Sequence, residues 1–408
     1  MTDGQIEGQH QPAGDKTTVL AAPPRAADAR TGARPRVMLL GAGELGRELA
    51  ISLRRLGATV TVVDERADAP AHGAADQRLI VPMTDADELS RAIAHAQPDF
   101  VVTTTDAVAV DALDALAAQP GGPQLAPSAR AVRFSADRES LRRLAADELG
   151  LPTAPFWFVG SADELQSVGA HAGYPLLVKP ATGRRQSIVR GPDDVPAAWQ
   201  RAGTERVLAE TVVEVEFLVT LLAVCTEGPG GPAIEFCSPI GHRGAGAGAR
   251  ESWQPQHLSP AAMDSARSIA ARIVKALGGR GVFGIELMIN GDEVYFADVT
   301  ARPRGTAWVT ACSQRLSAFE LQARAILGLP VDTVMVSPGA AVAIAAGPGA
   351  PDAAALRGAL RVPESDLRLF AGASRKAGVA LATAPQVGAA RERARQAAAA
   401  LNMRDSRG

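Results

Sequence analysis

The sequence predicts an α/β protein built in three parts, and three observations support this prediction. The 408 residues are 47% hydrophobic and 21% charged, which is enough apolar material for two or three domain cores. Near the N-terminus, a buried-strand run, a glycine turn, a helix pattern and a second strand form one βαβ unit. Further along, strand and helix patterns alternate, and short strands with a final Ala/Arg-rich helix end the chain.

The first part is predicted from two strand-to-helix repeats. Residues 36–40 (RVMLL) form a strand run, followed by GAGELGRELAISLRRLG and then by ATVTVVDE. Residues 99–117 (DFVVTTTDAVAVDALDALA) repeat the pattern, which indicates a small doubly wound sheet. We place this N-terminal domain at residues 35–130. Residues 1–34 are polar and lack an apolar period, so we expect a disordered leader.

The second part, residues 131–335, is predicted from a helix, a strand–helix–strand segment and a hairpin. Residues 135–150 (SADRESLRRLAADELG) read as one helix, with Ser135 or Asp137 as the N-cap and Gly150 as the stop. GVFGIELMINGDEVYFADVT reads as a β-hairpin with Asn290-Gly291 at its turn. Short strands and the final helix form a third domain at residues 336–408.

Composition argues against several classes of function. A formal net charge of −2 provides no basic face for nucleic acid, and aromatic residues at 4% are too scarce for base stacking. Three widely spaced cysteines, Cys225, Cys237 and Cys312, form neither a disulfide framework nor a zinc site and fit a reducing cytosol. No window approaches the ~20 apolar residues of a membrane span. We therefore expect a soluble, cytoplasmic protein without nucleic-acid or membrane partners.

The turn GAGELG matches the pattern G-x-G-x-x-G after a strand. Gly41 and Gly43 allow a ligand to approach the backbone, and the helix N-terminus attracts an anion. Asp64 ends the next strand, where a dinucleotide site carries its acid, so a nicotinamide dehydrogenase is a rival interpretation. Nothing downstream resembles a second dehydrogenase domain. We favour an anionic substrate at this turn over a nucleotide-type cofactor or a purely structural turn.

The hairpin carries two acids that suggest a metal site. Glu286 and Asp298 lie on its facing strands, and alternation puts both carboxylates on one face. Two carboxylates that share a site repel and need a cation, and Mg²⁺ with phosphate oxygens is the usual solution. Arg302 and Arg304 follow as basic neighbours for phosphate. The alternative is a solvated sheet face with two acids.

Two further stretches suit a nucleotide. In LAETVV, the acid Glu210 or the backbone can take the amino edge of adenine while the valines pack its ring, although an ordinary strand end fits equally. Residues 178–190 (VKPATGRRQSIVR) contain Lys-Pro at a strand end, then one glycine and two arginines. This segment is a phosphate-holding loop, a remodelled form of one, or a hairpin turn.

Taken in order, several tracts resemble the ATP-grasp superfamily and, within it, the formate-dependent phosphoribosylglycinamide formyltransferases of purine biosynthesis. They are GAGELGRELA, DRESLRRLAADELGLPT, YPLLVKP, LAETVV, GHR, RESWQPQ, FGIEL and SRKAGVALATA. The resemblance runs from about Arg36 to near Arg395. It implies a three-domain ATP-grasp fold, ATP and Mg²⁺ as cofactors, and a homodimer. It also implies that formate is activated by ATP to formyl phosphate, which the amine of glycinamide ribonucleotide attacks.

The resemblance also implies roles for individual residues. Arg138 and Lys179 are the catalytic contacts to the ATP phosphates. Contacts to the nucleotide as a whole are Arg138, Lys179, Arg184, Arg185, Glu210 and Val213. The magnesium ligands are Glu286 and Asp298, the latter standing where the family has glutamate. Contacts to the phosphorylated substrate are Glu44, Leu45, Arg375 and Lys376.

The sequence departs from the family at several working positions. After Lys-Pro the family has a longer serine- and glycine-rich loop, whereas here Gly183 is the only glycine before Arg184 and Arg185. Thr104 and Gly305 replace acids near the acceptor, Leu218 replaces the ribose carboxylate, and a substrate lysine before Ser374 has no counterpart.

These departures leave three functions open. They are the original reaction, activation of a carboxylate for a different acceptor in specialised metabolism, and nucleotide binding without catalysis. Because two acids near the acceptor are lost, we expect a phosphate- or carboxylate-bearing acceptor other than glycinamide ribonucleotide to be preferred.

Overall fold

The computed structural model of the chain describes residues 34–181, 186–228, 231–243, 251–345, 351–370 and 376–402. The predicted leader, residues 1–34, lies outside these ranges except for Arg34. No helix in the described ranges combines the length and the hydrophobicity that crossing a bilayer requires.

The N-terminal part is a parallel five-stranded sheet in the order β3-β2-β1-β4-β5. The predicted doubly wound sheet is confirmed, and the first strand has the predicted bounds. The strands are β1 (Arg36–Leu40), β2 (Thr59–Asp64), β3 (Gln77–Ile80), β4 (Phe100–Thr103) and β5 (Gln124–Ala126). The helices are α1 (Glu44–Arg55), α2 (Ala86–Ala96), α3 (Val110–Ala117) and α4 (Ala129–Ala136).

The helix predicted over residues 135–150 is wrong as a single element. Helix α4 ends at Ala136, and a new helix, α5 (Arg138–Arg143), begins after Asp137 and continues as a π-helical turn over Leu144–Glu148. The extended backbone of Asp137 breaks the run, and its carboxylate accepts from the backbone N–H groups of Glu139 and Ser140 at 3.0 and 3.2 Å. Of the two predicted N-caps, Asp137 is therefore confirmed.

A small antiparallel sheet in the order β6-β9-β7-β8 follows, with its own apolar core. Its strands are β6 (Phe156–Val159), β7 (Leu176–Pro180), β8 (Ser187–Val189) and β9 (Val207–Thr211). Two helices pack on it, α6 (Ala162–Ala172) and α7 (Val195–Ala202).

The rest of the described chain is built on one large sheet, ordered β15-β14-β10-β12-β13-β16-β18-β17, with β11 paired to β10. The strands are β10 (Phe217–Gly228), β11 (Gly231–Phe236), β12 (Ile240–Arg243), β13 (Glu251–Gln254), β14 (Gly281–Asn290), β15 (Glu293–Thr300), β16 (Gly339–Ala345), β17 (Ser365–Leu369) and β18 (Lys376–Thr383). The helices are α8 (Pro260–Leu277), α9 (Thr310–Ser313), α10 (Ala318–Ile326), α11 (Ala353–Leu360) and α12 (Val387–Asn402).

Two features of this sheet position the site. The predicted hairpin is confirmed as β14 and β15, and its turn contains Gly291 at a φ of +58°, which favours glycine. The strands of the C-terminal part continue the same sheet, because β13 pairs with β16. Apolar clusters cover both faces, one under α8 and the other under α10.

Candidate functional site

A cleft of about 760 Å³ opens between the small sheet and one end of the large sheet. Lys179 on β7, Glu210 on β9 and Val213 after β9 line it from one side. Leu218 on β10 and His242 on β12 line it from the other. Three residues predicted to hold the nucleotide therefore meet in one cavity, together with the leucine at the predicted ribose position.

Glu210 lies in the middle of the small sheet and is held by two cations. Its carboxylate forms ion pairs with Arg142 on α5 and Lys179 on β7. Arg142 is buried as well and also donates to the backbone oxygens of Phe296 and Ala297 at 3.0 and 3.1 Å. Burial opposes ionisation, but the charges of Arg142 and Lys179 outweigh it and hold the pKa of Glu210 below its ordinary value.

Arg138 lies between the nucleotide residues and the hairpin acids. It is the first residue of α5, directly after the Asp137 cap, and its guanidinium donates to the backbone oxygen of Pro180. Burial lowers the pKa of Arg138, while the charges of Asp298 and Glu210 oppose that shift. An arginine stays protonated under such a shift, so Arg138 keeps its positive charge.

Glu286 and Asp298 are direct partners in the register of β14 and β15, next to an irregularity in the pairing after Glu286. The predicted juxtaposition of the two acids is therefore observed. Glu286 lies 2.9 Å from the Thr220 hydroxyl and 2.9 Å from Nε2 of His242. Asp298 is more exposed and lies 3.5 Å from Arg304.

The pKa of Glu286 shows how these neighbours act. Burial alone would raise it, but the hydrogen bond and charge of His242, the charge of Arg304 and the hydrogen bond of Thr220 hold it below the ordinary value. Glu286 is thus kept as a carboxylate, the form that binds a metal ion.

The two acids fit a magnesium ion that is shared with a nucleotide. In the described ranges, no group of three or more His, Cys, Asp or Glu side chains is arranged to hold a metal ion by itself. Magnesium usually takes one or two protein carboxylates and completes its six positions with phosphate oxygens and water. A pair of carboxylates close to a nucleotide-sized cleft matches that requirement.

The glycine-rich turn packs closely on itself and is hydrogen-bonded to the carboxylate of Asp64. Gly41 has a φ of +108°, and a Cβ on Gly46 would lie 2.6 Å from the Gly41 oxygen, so both positions need glycine. Asp64 accepts from the backbone N–H groups of Ala42 and Arg66 at 2.8 and 3.0 Å. Since Asp64 is used to hold the turn, the dinucleotide interpretation loses the acid on which it depended.

The predicted substrate residues are placed only in part. Glu44 and Leu45 begin α1 after the glycine turn, and Leu45 packs against the cluster that contains Trp308. The Thr104 hydroxyl lies 2.8 Å from the backbone oxygen of Gly41 and 3.1 Å from that of Leu40, so its proton is used by the glycine turn. Other predicted residues lie outside the described part of the chain: Arg184, Arg185, Arg375 and the side chain of Lys376.

Four residues of the site were not predicted: Arg142, Thr220, His242 and Arg391. Arg142 and His242 stand in tracts that signal the family, RRLAADELG and GHR, so a signal was present. Arg391 enters the cleft from α12, with its guanidinium 3.8 Å from the Trp253 ring centre and 2.7 Å from Glu251. No local pattern indicates that contact, because Arg391 and Glu251 are 140 residues apart.

The chain is similar to known domains and to a known enzyme over most of its length. Residues 35–136 match the ribonucleotide synthetase preATP-grasp domain, and residues 144–319 match the ATP-grasp domain. A formate-dependent phosphoribosylglycinamide formyltransferase from Corynebacterium glutamicum is 45% identical over 385 residues. That match covers 90% of this chain and 94% of the relative.

Two solved structures share the fold. One is glycinamide-RNase-transformylase T from Mycobacterium tuberculosis, with 64% identity, a TM-score of 0.80, and coverage of 90% of this chain and 100% of that one. The other is an N5-carboxyaminoimidazole synthase from Aspergillus clavatus in complex with ADP and 5-aminoimidazole ribonucleotide. It is 25% identical with a TM-score of 0.80, over 90% of this chain and 99% of that one.

Proposed function

Because the chain belongs to the formate-dependent phosphoribosylglycinamide formyltransferases, a family of ATP-grasp enzymes, we propose that it activates formate with ATP and transfers the formyl group to an amine. The acceptor is glycinamide ribonucleotide or a related phosphorylated amine. The observation that carries the proposal is the direct pairing of Glu286 with Asp298 beside the cleft lined by Lys179, Glu210 and Val213.

The cleft suggests how the nucleotide lies. Both oxygens of Glu210 are engaged by cations, so the backbone of residues 211–213 is the better partner for the adenine amino edge, and Val213 packs the ring. Lys179 and Arg138 then lie on the phosphate side, where their charges offset those of the phosphates.

The hairpin carboxylates lie on the same side. When bound, magnesium supplies charge neutralisation at the phosphates, and Glu286 and Asp298 are the residues that would hold it. Arg304 lies 3.5 Å from Asp298 and adds positive charge at this end of the cleft.

The proposed reaction has two steps. A formate oxygen attacks the terminal phosphorus of ATP, the bond to the bridging oxygen breaks, and ADP leaves with formyl phosphate remaining. The amine nitrogen of the acceptor then attacks the formyl carbon, the carbon–oxygen bond to phosphate breaks, and the amine loses a proton. The products are a formamide, phosphate and ADP.

The test is release of ADP from purified protein with ATP, Mg²⁺, formate and glycinamide ribonucleotide, together with detection of the formylated product by mass spectrometry. We expect ADP release to require both formate and the amine. Reactions that lack formate or the amine are the controls. ADP release without product, or no turnover at all, would contradict the proposal.

A second candidate keeps formate activation but changes the acceptor. Thr104 donates its hydroxyl to the glycine turn, and Gly305 carries no side chain, so neither position offers an acid to an amine. In that region Asp106 is already ion-paired with Arg302 at 2.7 Å. The test is a competition assay between glycinamide ribonucleotide and other phosphorylated amines. Formylation of glycinamide ribonucleotide at a rate normal for the family would remove this candidate.

The resemblance to the family also supports a cytoplasmic homodimer as a proposal. Light scattering coupled to size-exclusion chromatography tests the dimer, for which we expect about twice the chain mass of 42.1 kDa.

A further inference from the structure

The Thr220 hydroxyl contacts the proposed metal carboxylate inside the large sheet. Thr220 on β10 and Glu286 on β14 are partners in register, and Thr220 Oγ1 lies 2.9 Å from Glu286 Oε1. Thr220 is fully buried. An ionised carboxylate can only accept hydrogen bonds, so the single hydroxyl proton of Thr220 is donated to Glu286.

A second hydroxyl continues this contact. Thr306 Oγ1 lies 3.0 Å from Thr220 Oγ1, and Thr306 is also buried. Because the Thr220 proton points to Glu286, Thr306 supplies the proton between the two hydroxyls. The result is a chain from Thr306 through Thr220 to Glu286. Thr306 belongs to the short helical turn Gly305–Val309, so the chain joins that turn to the hairpin acids.

The other carboxylate oxygen of Glu286 is held as well. His242 Nε2 lies 2.9 Å from Oε2, from the strand on the far side of β10. The carboxylate is therefore fixed at both oxygens, while each oxygen keeps a second lone pair for a metal ion. Loss of the Thr220 contact would leave it held at one oxygen only and free to turn out of position.

We propose that Thr220 is a positioning residue, which orients Glu286 for the magnesium ion bound to the nucleotide, and that Thr306 links this orientation to the turn at Gly305–Val309. The inference rests on the proposed function, because it takes Glu286 as a metal ligand. Thr220 itself contacts neither the metal nor the nucleotide. Hydrogen-bonding partners of ligating carboxylates commonly affect metal affinity by 10-fold or more.

The test separates metal-dependent binding from general damage. ADP affinity is measured by calorimetry, once with Mg²⁺ and once with EDTA, for wild type and for Thr220→Val, which keeps the shape but removes the hydroxyl. We expect Thr220→Val to weaken the affinity for Mg²⁺–ADP by roughly 10-fold or more and to leave the affinity for metal-free ADP unchanged. Thr220→Ser keeps the donor and should stay close to wild type.

Two further variants complete the design. Thr226→Val makes the same chemical change on β10 away from the acids and should affect neither affinity. Thr306→Val removes the outer hydroxyl and should weaken Mg²⁺–ADP by a smaller factor of about 3, which keeps the test open if Thr220→Val does not fold.

Three results would overturn this inference or its premise. An equal loss with Mg²⁺ and with EDTA would show a merely structural role for Thr220. An unchanged Mg²⁺–ADP affinity in Thr220→Val would show that the hydroxyl does not orient Glu286. Wild-type protein that binds ADP equally with and without Mg²⁺ would instead overturn the metal assignment in the proposed function, and that result is visible before any variant is made.

Discussion

Glu210 is a buried carboxylate and Glu286 a largely buried one in a different sheet, and the protein neutralises them in different ways. Glu210 forms ion pairs with Arg142 and Lys179. Glu286 is held by a hydroxyl and an imidazole, and its described contacts include no Lys or Arg ion pair. In both cases burial opposes ionisation and the partners hold the pKa below its ordinary value.

The difference indicates what each acid is for. Two full positive charges contact Glu210, so its negative charge is balanced by the protein itself. Glu286 is paired in register with a second acid, Asp298. Arg304 lies 3.5 Å from Asp298. Two carboxylates that face each other attract an added cation. The protein balances the charge of Glu210, and a metal ion would balance the charges of Glu286 and Asp298.

The largest expected effect is on catalysis through Glu286. Glu286→Gln should lower ADP release by about 1,000-fold, because the loss of a charged ligand removes several kcal/mol of metal-assisted stabilisation. Thermal unfolding of the variant should change little, since Gln can still accept from Thr220. The measurement is ADP release under saturating formate and acceptor. Unchanged turnover would mean that the metal sits elsewhere.

In contrast to Glu286→Gln, Glu210→Gln should mainly lower the free energy of unfolding. Removing this charge leaves Arg142 buried without its partner, which costs about 3 to 5 kcal/mol of the free energy of unfolding. Urea unfolding at pH 7 measures the loss. Glu235→Gln, at an exposed position on β11, is the matched control and should lie within about 0.5 kcal/mol of wild type. An equal loss of stability in Glu210→Gln and Glu286→Gln would refute the contrast between the two acids.

Substitutions at Leu218 test whether the ribose of the nucleotide lies beside this residue. Leu218 lines the cleft, and it points to the same face of β10 as Thr220, the register partner of Glu286, about 7 Å away. A leucine there cannot bond a ribose hydroxyl, so wild type should accept ATP and dATP almost equally. Leu218→Glu should favour ATP by about 10-fold, through a charge-assisted hydrogen bond. Competition binding measures this, and Leu218→Gln controls for size. Strong discrimination by wild type would place the sugar elsewhere.

The smallest expected effect is the pH dependence that Glu210 contributes. Its folded pKa is below the ordinary value of 4.5, so its stabilising contribution is complete above that pH and is lost as the pH falls through the folded pKa. The stability difference between wild type and Glu210→Gln should therefore shrink on acidification from pH 6 towards pH 3. Urea unfolding at several pH values measures it. A stability difference that stays constant over that range would show that the pKa of Glu210 is not lowered by folding.

Local patterns in the sequence determined much of the fold and one half of the site. The first strand has its predicted bounds at Arg36–Leu40, because a short apolar run between polar residues and a glycine turn needs no distant partner to be recognised. The hairpin turn at Asn290-Gly291 and the Asp137 cap follow from chemistry within four residues. The pairing of Glu286 with Asp298 does not follow from these patterns alone, because the register of the turn would place Glu286 opposite Ala297, and the irregularity after Glu286 shifts Asp298 into that position. Tracts such as RRLAADELG identified the family, and the 45% identity to a formyltransferase confirms that assignment.

Only the tertiary structure decided the other half of the site. Arg142 meets Glu210 from another element, 68 residues away in the chain, and Arg391 reaches Glu251 over 140. Likewise, the pairing of β13 with β16, which joins the C-terminal strands to the large sheet, has no local signal in the sequence. Propensity, capping and turn chemistry act over a few residues, whereas ion pairs and sheet order depend on how finished elements dock. Which charges neutralise Glu210 was therefore settled by packing.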